Sequence, residues 1–358
     1  MNNNVTLTVN GRNYQGFKNV TIGAGIERQC RSFQLVTTWR WPGQTVDLPI
    51  RFGDKVEIRI GDDLVLTGWV DATPVSVSGN SVTRSVSGRS LTCDLVDCSA
   101  EFAQWRSQPV AVIVQALASN YGISVADEAG ASGTIADHSV DPGETVFESI
   151  DRLLSLSRLL STDNSRGQLV IAEPGSGGRA VDELVLGENI LASSMSQDFF
   201  SEYRCIGQRS GSDSIDATAA AEVSASQTDA RVKRTRVLII QQSGQLTPDL
   251  AQERARWESE NRMSRALSAN VTIQGWRQSN GALWEANQIV RMRDDVCGID
   301  RDMLIVEITY ELSESGLLTH MRLSPPEGYG AQPVILSGSG KSGSDSFEYL
   351  IPEDWDKK

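Results

Sequence analysis

Lys55-Val56-Glu57-Ile58-Arg59-Ile60-Gly61-Asp62-Asp63-Leu64 is the stretch on which the reading of this chain turns. Charged and apolar residues alternate from Lys55 to Ile60, the period of a strand with one buried face. Gly61-Asp62-Asp63 is an acidic turn. A longer strand is expected from Leu64 to Val77, then a Gly79-Asn80 turn and a return strand from Val82 to Val86. The same order recurs far downstream. Gln288 to Arg293 is followed by Asp294-Asp295, a long strand from Met303 to Leu312, a turn at Ser315-Gly316 and a return strand from Leu317 to Leu323. One supersecondary unit thus occurs twice. A trimer of such chains would present six similar units around its axis, which is one way to match a three-fold object to a six-fold one.

Outward from the first unit, residues 5–97 read as β throughout. Val5, Leu7 and Val9 alternate, Asn10-Gly11 signals a hairpin, and Phe33, Leu35 and Val36 mark a later strand. Short strands with regular Gly, Asn and Asp punctuation point to an antiparallel barrel or sandwich. Composition changes near Ser99. Pro109 is placed as a first helical residue, Val110, Ile113, Val114 and Leu117 form one helical face, and Gly122 is the stop. Thr145 and Glu148 fit a capping box that opens a second helix. Its stripe is Val146, Ile150, Leu153, Leu154 and Leu160, and it ends at Asp163-Asn164-Ser165. A strand from Gln168 to Ala172 completes a small α/β insertion. Strands resume near Asp198, Ser210 to Ser226 reads as a long loop or edge hairpin, and Val237 to Ile240 as a buried strand. A helix is expected over 248–267, with Thr247 as its cap and Arg254, Glu258 and Arg262 as a solvent-facing charge ladder. Strands from Asn270 to Pro325 follow, and the chain then becomes Gly/Ser-rich.

The chain has 358 residues, 39% hydrophobic, enough for two or three domains with cores of their own. A net charge of −13 argues against a general nucleic-acid binder, which needs positive charge to displace counterions. No apolar run approaches the roughly 18–20 residues of a membrane span. Met1-Asn2-Asn3-Asn4 shows no signal-peptide pattern. Cys30, Cys93, Cys98, Cys205 and Cys297 are scattered and odd in number, which suits reduced thiols in a protein made in a cytosol.

Reactive groups do not converge. His138 sits in a turn-like stretch and His320 within a strand pattern, and both read as structural or surface residues. Gly340-Lys341-Ser342 lacks the leading glycine of a phosphate-binding loop, because position 335 is Ile335. Gly175, Gly177 and Ala180 have a dinucleotide-like spacing but open no helix. Asp62-Asp63 and Asp294-Asp295 read as turn residues rather than metal ligands or an acid–base pair. Arg231, Lys233, Arg234 and Arg236 form the densest basic run. Arg234 and Arg236 are expected on one strand face, as a solvated edge or a contact for an acidic partner. Trp39, Trp41 and Trp69 are assigned to a core or an interface. No catalytic, cofactor-binding or metal-binding residue is nominated, and no cofactor is expected.

Several motifs in order carry a resemblance to a known family. They are Asn10-Gly11-Arg12-Asn13-Tyr14-Gln15-Gly16-Phe17, Phe33-Gln34-Leu35, Phe52-Gly53-Asp54-Lys55-Val56 with Gly68-Trp69-Val70-Asp71, Gly143-Glu144-Thr145-Val146-Phe147-Glu148-Ser149-Ile150, Arg254-Ala255-Arg256-Trp257-Glu258, and the strand pair from Met303 to Pro325. Over about residues 5–326 the chain resembles the baseplate hub, or "43 kDa tail", proteins of Mu-like contractile-tailed phages and prophages. The type VI secretion spike protein has a related N-terminal part.

The resemblance implies a mainly β fold with an α/β insertion: two similar antiparallel β-barrel modules and a small α/β domain, assembling as a trimer with a pseudo-six-fold ring. The divisions expected are 1–98 for the first barrel, 99–185 for the α/β domain, 186–326 for the second barrel with its helix, and 327–358 for a C-terminal tail. The implied role is a structural hub, not an enzyme. It would adapt a three-fold membrane-piercing spike to the six-fold tail tube and let DNA pass. Implied partners are further copies of the chain, the spike, the tube and tape-measure proteins and other baseplate proteins, with DNA only as passing cargo and no stable membrane insertion. The implied location is the virion tail, assembled in the host bacterial cytoplasm. The alternatives are a tail-associated cell-wall hydrolase and a glycan- or receptor-binding β-module.

Overall fold

The computed structural model describes residues 2–38, 50–78, 81–131, 133–157, 159–195, 200–208, 223–230, 232–245 and 248–329. The first part of the chain forms β1 (Val5–Val9), β2 (Arg12–Tyr14), β3 (Asn19–Gly25), β4 (Ser32–Thr38), β5 (Lys55–Ile60), β6 (Asp63–Ala72), β7 (Val75–Ser78), β8 (Ser81–Ser90) and the short α1 (Cys93–Asp97). The insertion forms β9 (Gln104–Pro109), α2 (Val110–Ser119), β10 (Val125–Asp127), β11 (Thr134–Ser139), α3 (Val146–Ser157), β12 (Leu160–Asp163) and β13 (Leu169–Ala172). Then come β14 (Leu184–Val185), β15 (Ile190–Met195), β16 (Glu202–Gln208), β17 (Val223–Thr228), β18 (Val237–Gln245), α4 (Pro248–Ala266), β19 (Ala269–Gln274), β20 (Ile289–Asp294), β21 (Ile299–Ser313), β22 (Gly316–Ser324) and a 3-10 turn, Pro326–Tyr329.

The repeat extends further than the paired hairpins. In the first module neighbouring strands follow the path β3-β4-β8-β6-β5-β1, and in the second β15-β19-β22-β21-β20-β14. Both paths take their strands in the same chain order. Registers agree away from the acidic turns, where β6 carries an extra bulge between Leu64 and Leu66 that β21 lacks. The β5–β6 ladder ends at Lys55 opposite Trp69, and the β20–β21 ladder at Ile289 opposite Leu304. One bulge follows in each long strand, between Val70 and Ala72 and between Ile305 and Glu307. One outer pairing differs: β1 lies antiparallel to β5, whereas β14 lies parallel to β20.

The modules are not separate bodies. Strand β21 is 15 residues long. Its N-terminal part pairs with β20, and on that same side its C-terminal part pairs with β3, from Glu307 opposite Gly25 to Leu312 opposite Val20. A 14-stranded sheet therefore runs through both modules. A single hydrophobic core follows it, joining Leu7, Ile22, Leu35 and Ile58 to Trp276, Trp284, Ile305 and Tyr310.

Several local expectations are corrected. The strand expected from Leu64 to Val77 breaks after Ala72, because Pro74 has no N–H to give the ladder. The Gly79-Asn80 turn lies outside the described residues. Pro109 ends β9 as the extended N-cap of α2 instead of opening the helix. Leu160 to Asp163 is strand β12, so Leu160 belongs to no helical stripe; it pairs with β13. The segment after Ala172, grouped with the insertion in the sequence reading, runs along β20: the Ala180 N–H donates to the Ile289 carbonyl at 2.8 Å and Leu184 lies in the main core. Strands β17-β16-β18 form a separate sheet, and α4 packs on it through Ala251, Ala255 and Cys205. The helix thus packs on this separate sheet and on the 3-10 turn Pro326–Tyr329. It covers the Cys205 face alone, so Val237 and Ile239 are 38% and 57% exposed rather than buried. Arg254 and Glu258 are nearly covered, not solvent-facing, though the Arg254–Glu258 and Arg262–Glu258 pairs do form, at 3.6 and 2.6 Å.

The α/β insertion has its own core of Val110, Ile113, Val114, Leu117, Val146, Ile150, Leu153, Leu154, Leu169 and Ile171. The capping box is present: the Glu148 N–H donates to Thr145 Oγ1 at 3.1 Å, and the Thr145 N–H to Glu148 Oε2 at 2.8 Å. Gly122, at φ +70°, closes α2, with the Ile123 N–H reaching the Ala118 carbonyl.

Candidate assembly surface

The best-built polar geometry of the molecule lies at its junctions. Arg277, in the loop after β19, reaches the β5–β6 turn of the other module. Its guanidinium donates to Asp63 Oδ2 at 2.6 Å, to the Ile60 carbonyl at 2.9 Å and to Asn3 Oδ1 at 3.0 Å. It also holds the Gly281 carbonyl of its own loop at 2.7 Å. Asp63 therefore serves as half of an inter-module clamp. At the other end of the β3–β21 ladder, Arg322 bridges Glu27 and Glu307, and Arg28 meets Glu307 at 3.2 Å. Burial opposes ionisation of Glu307, but the hydrogen bond and charge of Arg322, with Arg28, hold its carboxyl below the usual range.

A second network seats the α/β insertion on the first module. The Arg31 backbone N–H and Nε donate to the two Asp163 carboxylate oxygens at 3.1 and 3.2 Å, and Arg31 Nη1 to the Val65 carbonyl at 2.9 Å. Thr92 donates to the Gln29 carbonyl, and Ser161 to Gln29 Oε1 at 2.5 Å. Asp163 is fully enclosed. Burial pushes its carboxyl up, against the charge and hydrogen bonds of Arg31. Nearby, Arg89 grips Asp97 with two nitrogens, at 3.0 and 2.6 Å, and Asp71 at 2.8 Å, tying α1 to β6 and β8. A cleft of about 390 Å³ at the seam is lined by Asn3, Asn4, Gln15, Phe17, Leu312 and Leu317 among others, with no acid, base or thiol in its wall. These arrangements hold modules together; they offer no nucleophile or proton-transfer pair.

Comparison with known proteins agrees with the architecture. The chain is 32% identical over 360 aligned positions to baseplate hub protein gp44 of Escherichia phage Mu, covering 97% of this chain and 94% of the relative. The chain belongs to the Mu-type baseplate hub family. Within that family's domain models, residues 4–90 match the N-terminal domain of Mu phage baseplate assembly protein GpP-like proteins, 92–173 the second domain of gp44-like hub proteins, and 247–332 the fourth domain of GpP. The crystal structure of the 43 kDa tail protein from prophage MuSo2 of Shewanella oneidensis superimposes with a TM-score of 0.81 at 28% identity, covering 92% of this chain and 99% of that one. A type VI secretion component of Escherichia coli, described as structurally similar to phage T4 tail proteins gp27 and gp5, shares the fold at a TM-score of 0.54 and 12% identity, over 92% and 79% of the two chains.

In this hub-family chain the residues singled out by sequence lie apart from one another. His138 is buried within β11, not in a turn, with its Nε2 3.0 Å from Ser149 Oγ. His320, on β22, bridges Thr272 at 3.0 Å and Glu311 at 2.8 Å. The two acidic turns differ. Gly61-Asp62 is a two-residue turn with Asp63 opening β6, whereas Asp294 ends β20 before a four-residue turn. Asp294 is buried and caps that turn, accepting from the Cys297 N–H at 2.8 Å, the Val296 N–H at 3.0 Å and the Ser193 hydroxyl at 2.5 Å. Burial works against its charge, yet these donors hold it below the usual carboxylate range. Gly175 and Gly177 wrap Asn287; a Cβ at Gly177 would lie 2.8 Å from the Asn287 carbonyl oxygen, so their spacing serves backbone approach, not a phosphate.

Arg234 and Arg236 share no strand face, because β18 begins only at Val237. Lys233 and Arg234 are exposed, and the Arg236 guanidinium lies 4.5 Å from the Phe200 ring centroid. Arg231, Trp39, Trp41 and Gly340-Lys341-Ser342 lie outside the described residues. Trp69 is partly buried; the tryptophans filling the core are Trp276 and Trp284. Burial pushes the Cys30 thiol up to about 11 and Cys93 to about 12, which favours the neutral thiol at both. Among the described residues no helix is long and apolar enough to cross a membrane, and no group of three His, Cys, Asp or Glu could hold a metal. Sequence reasoning missed Arg277, Arg31–Asp163 and Arg322–Glu27. No local signal exists for contacts between residues 214, 132 and 295 positions apart.

Proposed function

We propose that this chain is the structural hub of a phage tail baseplate, without catalytic activity. Three copies form a ring that adapts a three-fold membrane-piercing spike to the six-fold tail tube and leaves a conduit for DNA. The observation that carries this reading is the doubled six-strand path, in one chain order, with matching hairpin ends and a matching bulge in the long strand, joined edge to edge through β3 and β21. Three copies of a doubled module make six similar units, and head-to-tail contacts that close give a cyclic assembly. On this reading residues 1–98 and about 173–326 supply the ring, 99–172 sits beside it, and 327–358 is a tail. The spike, tube and tape-measure proteins are the neighbours, and the virion is put together in the host cytoplasm. Solution mass tests the reading. A trimer near three times 38.9 kDa is expected at micromolar concentration; a monomer would refute the ring.

A further inference from the structure

Strand β18 presents an apolar edge with a charged neighbour. The separate sheet runs β17-β16-β18, so among the described strands β18 pairs with β16 on one side and with none on the other. It reads Val-Leu-Ile-Ile-Gln-Gln-Ser-Gly-Gln, without a charge to keep a further strand away. Helix α4 covers the sheet at Cys205, on β16, one strand in from this edge. None of Val237, Leu238, Ile239 and Ile240 is buried, and Val237 and Ile239 are 38% and 57% exposed. The opposite edge, β17, alternates small and polar residues and leaves little apolar surface. Just before β18 stand the exposed cations Lys233 and Arg234. The complement of such an edge is an antiparallel strand that is apolar first and acidic directly after.

The chain itself holds such a stretch. Phe347-Glu348-Tyr349-Leu350-Ile351 is followed by Pro352 and then by Glu353, Asp354 and Asp356. The last described residue is Tyr329, in the 3-10 turn that packs against α4, the helix of this same sheet. Seventeen residues, 330–346, lie between Tyr329 and Phe347. A chain of that length reaches about 56 Å when extended, and α4, with its 19 residues, is about 28 Å long. The stretch can therefore reach the β18 edge from the 3-10 turn. The other apolar run after Tyr329, Val334-Ile335-Leu336, is followed by Ser337 to Lys341, which bring Lys233 and Arg234 no negative charge.

We propose that residues 347–351 add to this sheet as a strand antiparallel to β18 of the same chain, with Tyr349 opposite Ile239 and Ile351 opposite Val237. Tyr349 and Ile351 then share a face with the exposed Val237 and Ile239, as cross-strand apolar pairs. Pro352, which has no N–H for a ladder, falls just beyond the start of β18 at Val237. Residues 353–356 run on beside the basic run, with Asp354 opposite Arg234. The contact closes an edge that could otherwise pair between molecules. It lies within one copy, so it goes beyond the ring reading and does not depend on it.

Amide hydrogen exchange on the full chain tests this. Removing residues 347–358 is expected to speed exchange at least tenfold at the β18 amides that point away from β16, and to leave β17 unchanged. Arg234→Glu should speed the same amides several-fold, and Arg234→Glu combined with Asp354→Arg should restore them. The double variant Ile239→Cys/Tyr349→Cys, oxidised with glutathione disulfide, should yield a 239–349 linked peptide from protein of single-chain mass. The displaced pair Ile239→Cys/Ile335→Cys should not. Ile239 and Arg234 are exposed, so these variants should fold normally. Unchanged β18 exchange after truncation, or a 239–349 link found only between two chains, would overturn the proposal. The mass of the unmodified assembly is a separate measurement, so the ring reading stands or falls apart from this one.

Discussion

Arg277 joins two modules with one side chain. It is 11% exposed and its donors are shared between Asp63, Asn3 and two backbone carbonyls. Removing it strands those acceptors, so Arg277→Ala should cost about 2–4 kcal/mol, measured as a lower urea midpoint. Asp63→Asn should cost less than about 1 kcal/mol, because Asp63 is half-exposed and Asn can still accept. At Gly88 the constraint is steric. A Cβ there would sit 1.9 Å from the Trp69 carbonyl oxygen and 2.8 Å from the Phe33 ring. Gly88→Ala should therefore cost about 3 kcal/mol or more, whereas Gly133→Ala, with nothing within 4 Å, should be near neutral. Asp97 gives a pH signature. Its bidentate bond to Arg89 holds its carboxyl below the usual range. A depressed folded value means that its contribution is complete above the unfolded carboxylate pKa of about 3.9 and fades as pH falls through the folded one. Urea midpoints should show Asp97→Asn slightly less stable at pH 7, and the difference from wild type should shrink toward zero in acid.

Among the elements, β3 has the most consequence. It lies between β4 and β21, so its backbone is paired on both sides. Thr21→Pro removes a donor from the middle of this central strand and should disrupt both modules at once, leaving mostly insoluble protein. In the wild type, hydrogen exchange should show β3 and β21 protected to the same, highest level, because they share one core; the edge strand β7 should exchange far faster. Single elements were readable where period and caps are local. Lys55–Ile60, the Thr145–Glu148 box and α4 from Pro248 are where their side-chain patterns place them. Leu160–Asp163 was misread because its apolar residue continues a helical stripe; its strand state is set by pairing with β13, which the local pattern does not record.

For the whole molecule, the net charge of −13 per copy bears on the proposed passage of DNA. Duplex DNA carries one charge per roughly 1.7 Å of axis, and each cation that grips a phosphate adds sequence-independent affinity. A conduit that bound its cargo tightly would stall it. The assembled protein should therefore not retard duplex DNA in a gel at physiological salt. If it does, and if replacing exposed Lys233 and Arg234 with Ser abolishes the retardation, the passive-conduit reading fails.

Alternation in Lys55–Ile60 and Ile289–Arg293, turn residues between strands and a capping box are local in the chain, so the sequence by itself determined a β-rich protein with a repeated unit and an α/β insertion. Tertiary structure decided that the two units share one sheet, that Asp63 and Arg277 meet, and that Asp163 seals the insertion onto the first module. Each of these depends on which strand edges and charges are brought side by side across long separations. A strand pattern states which face is buried, but it does not state which neighbour will pair with its edge.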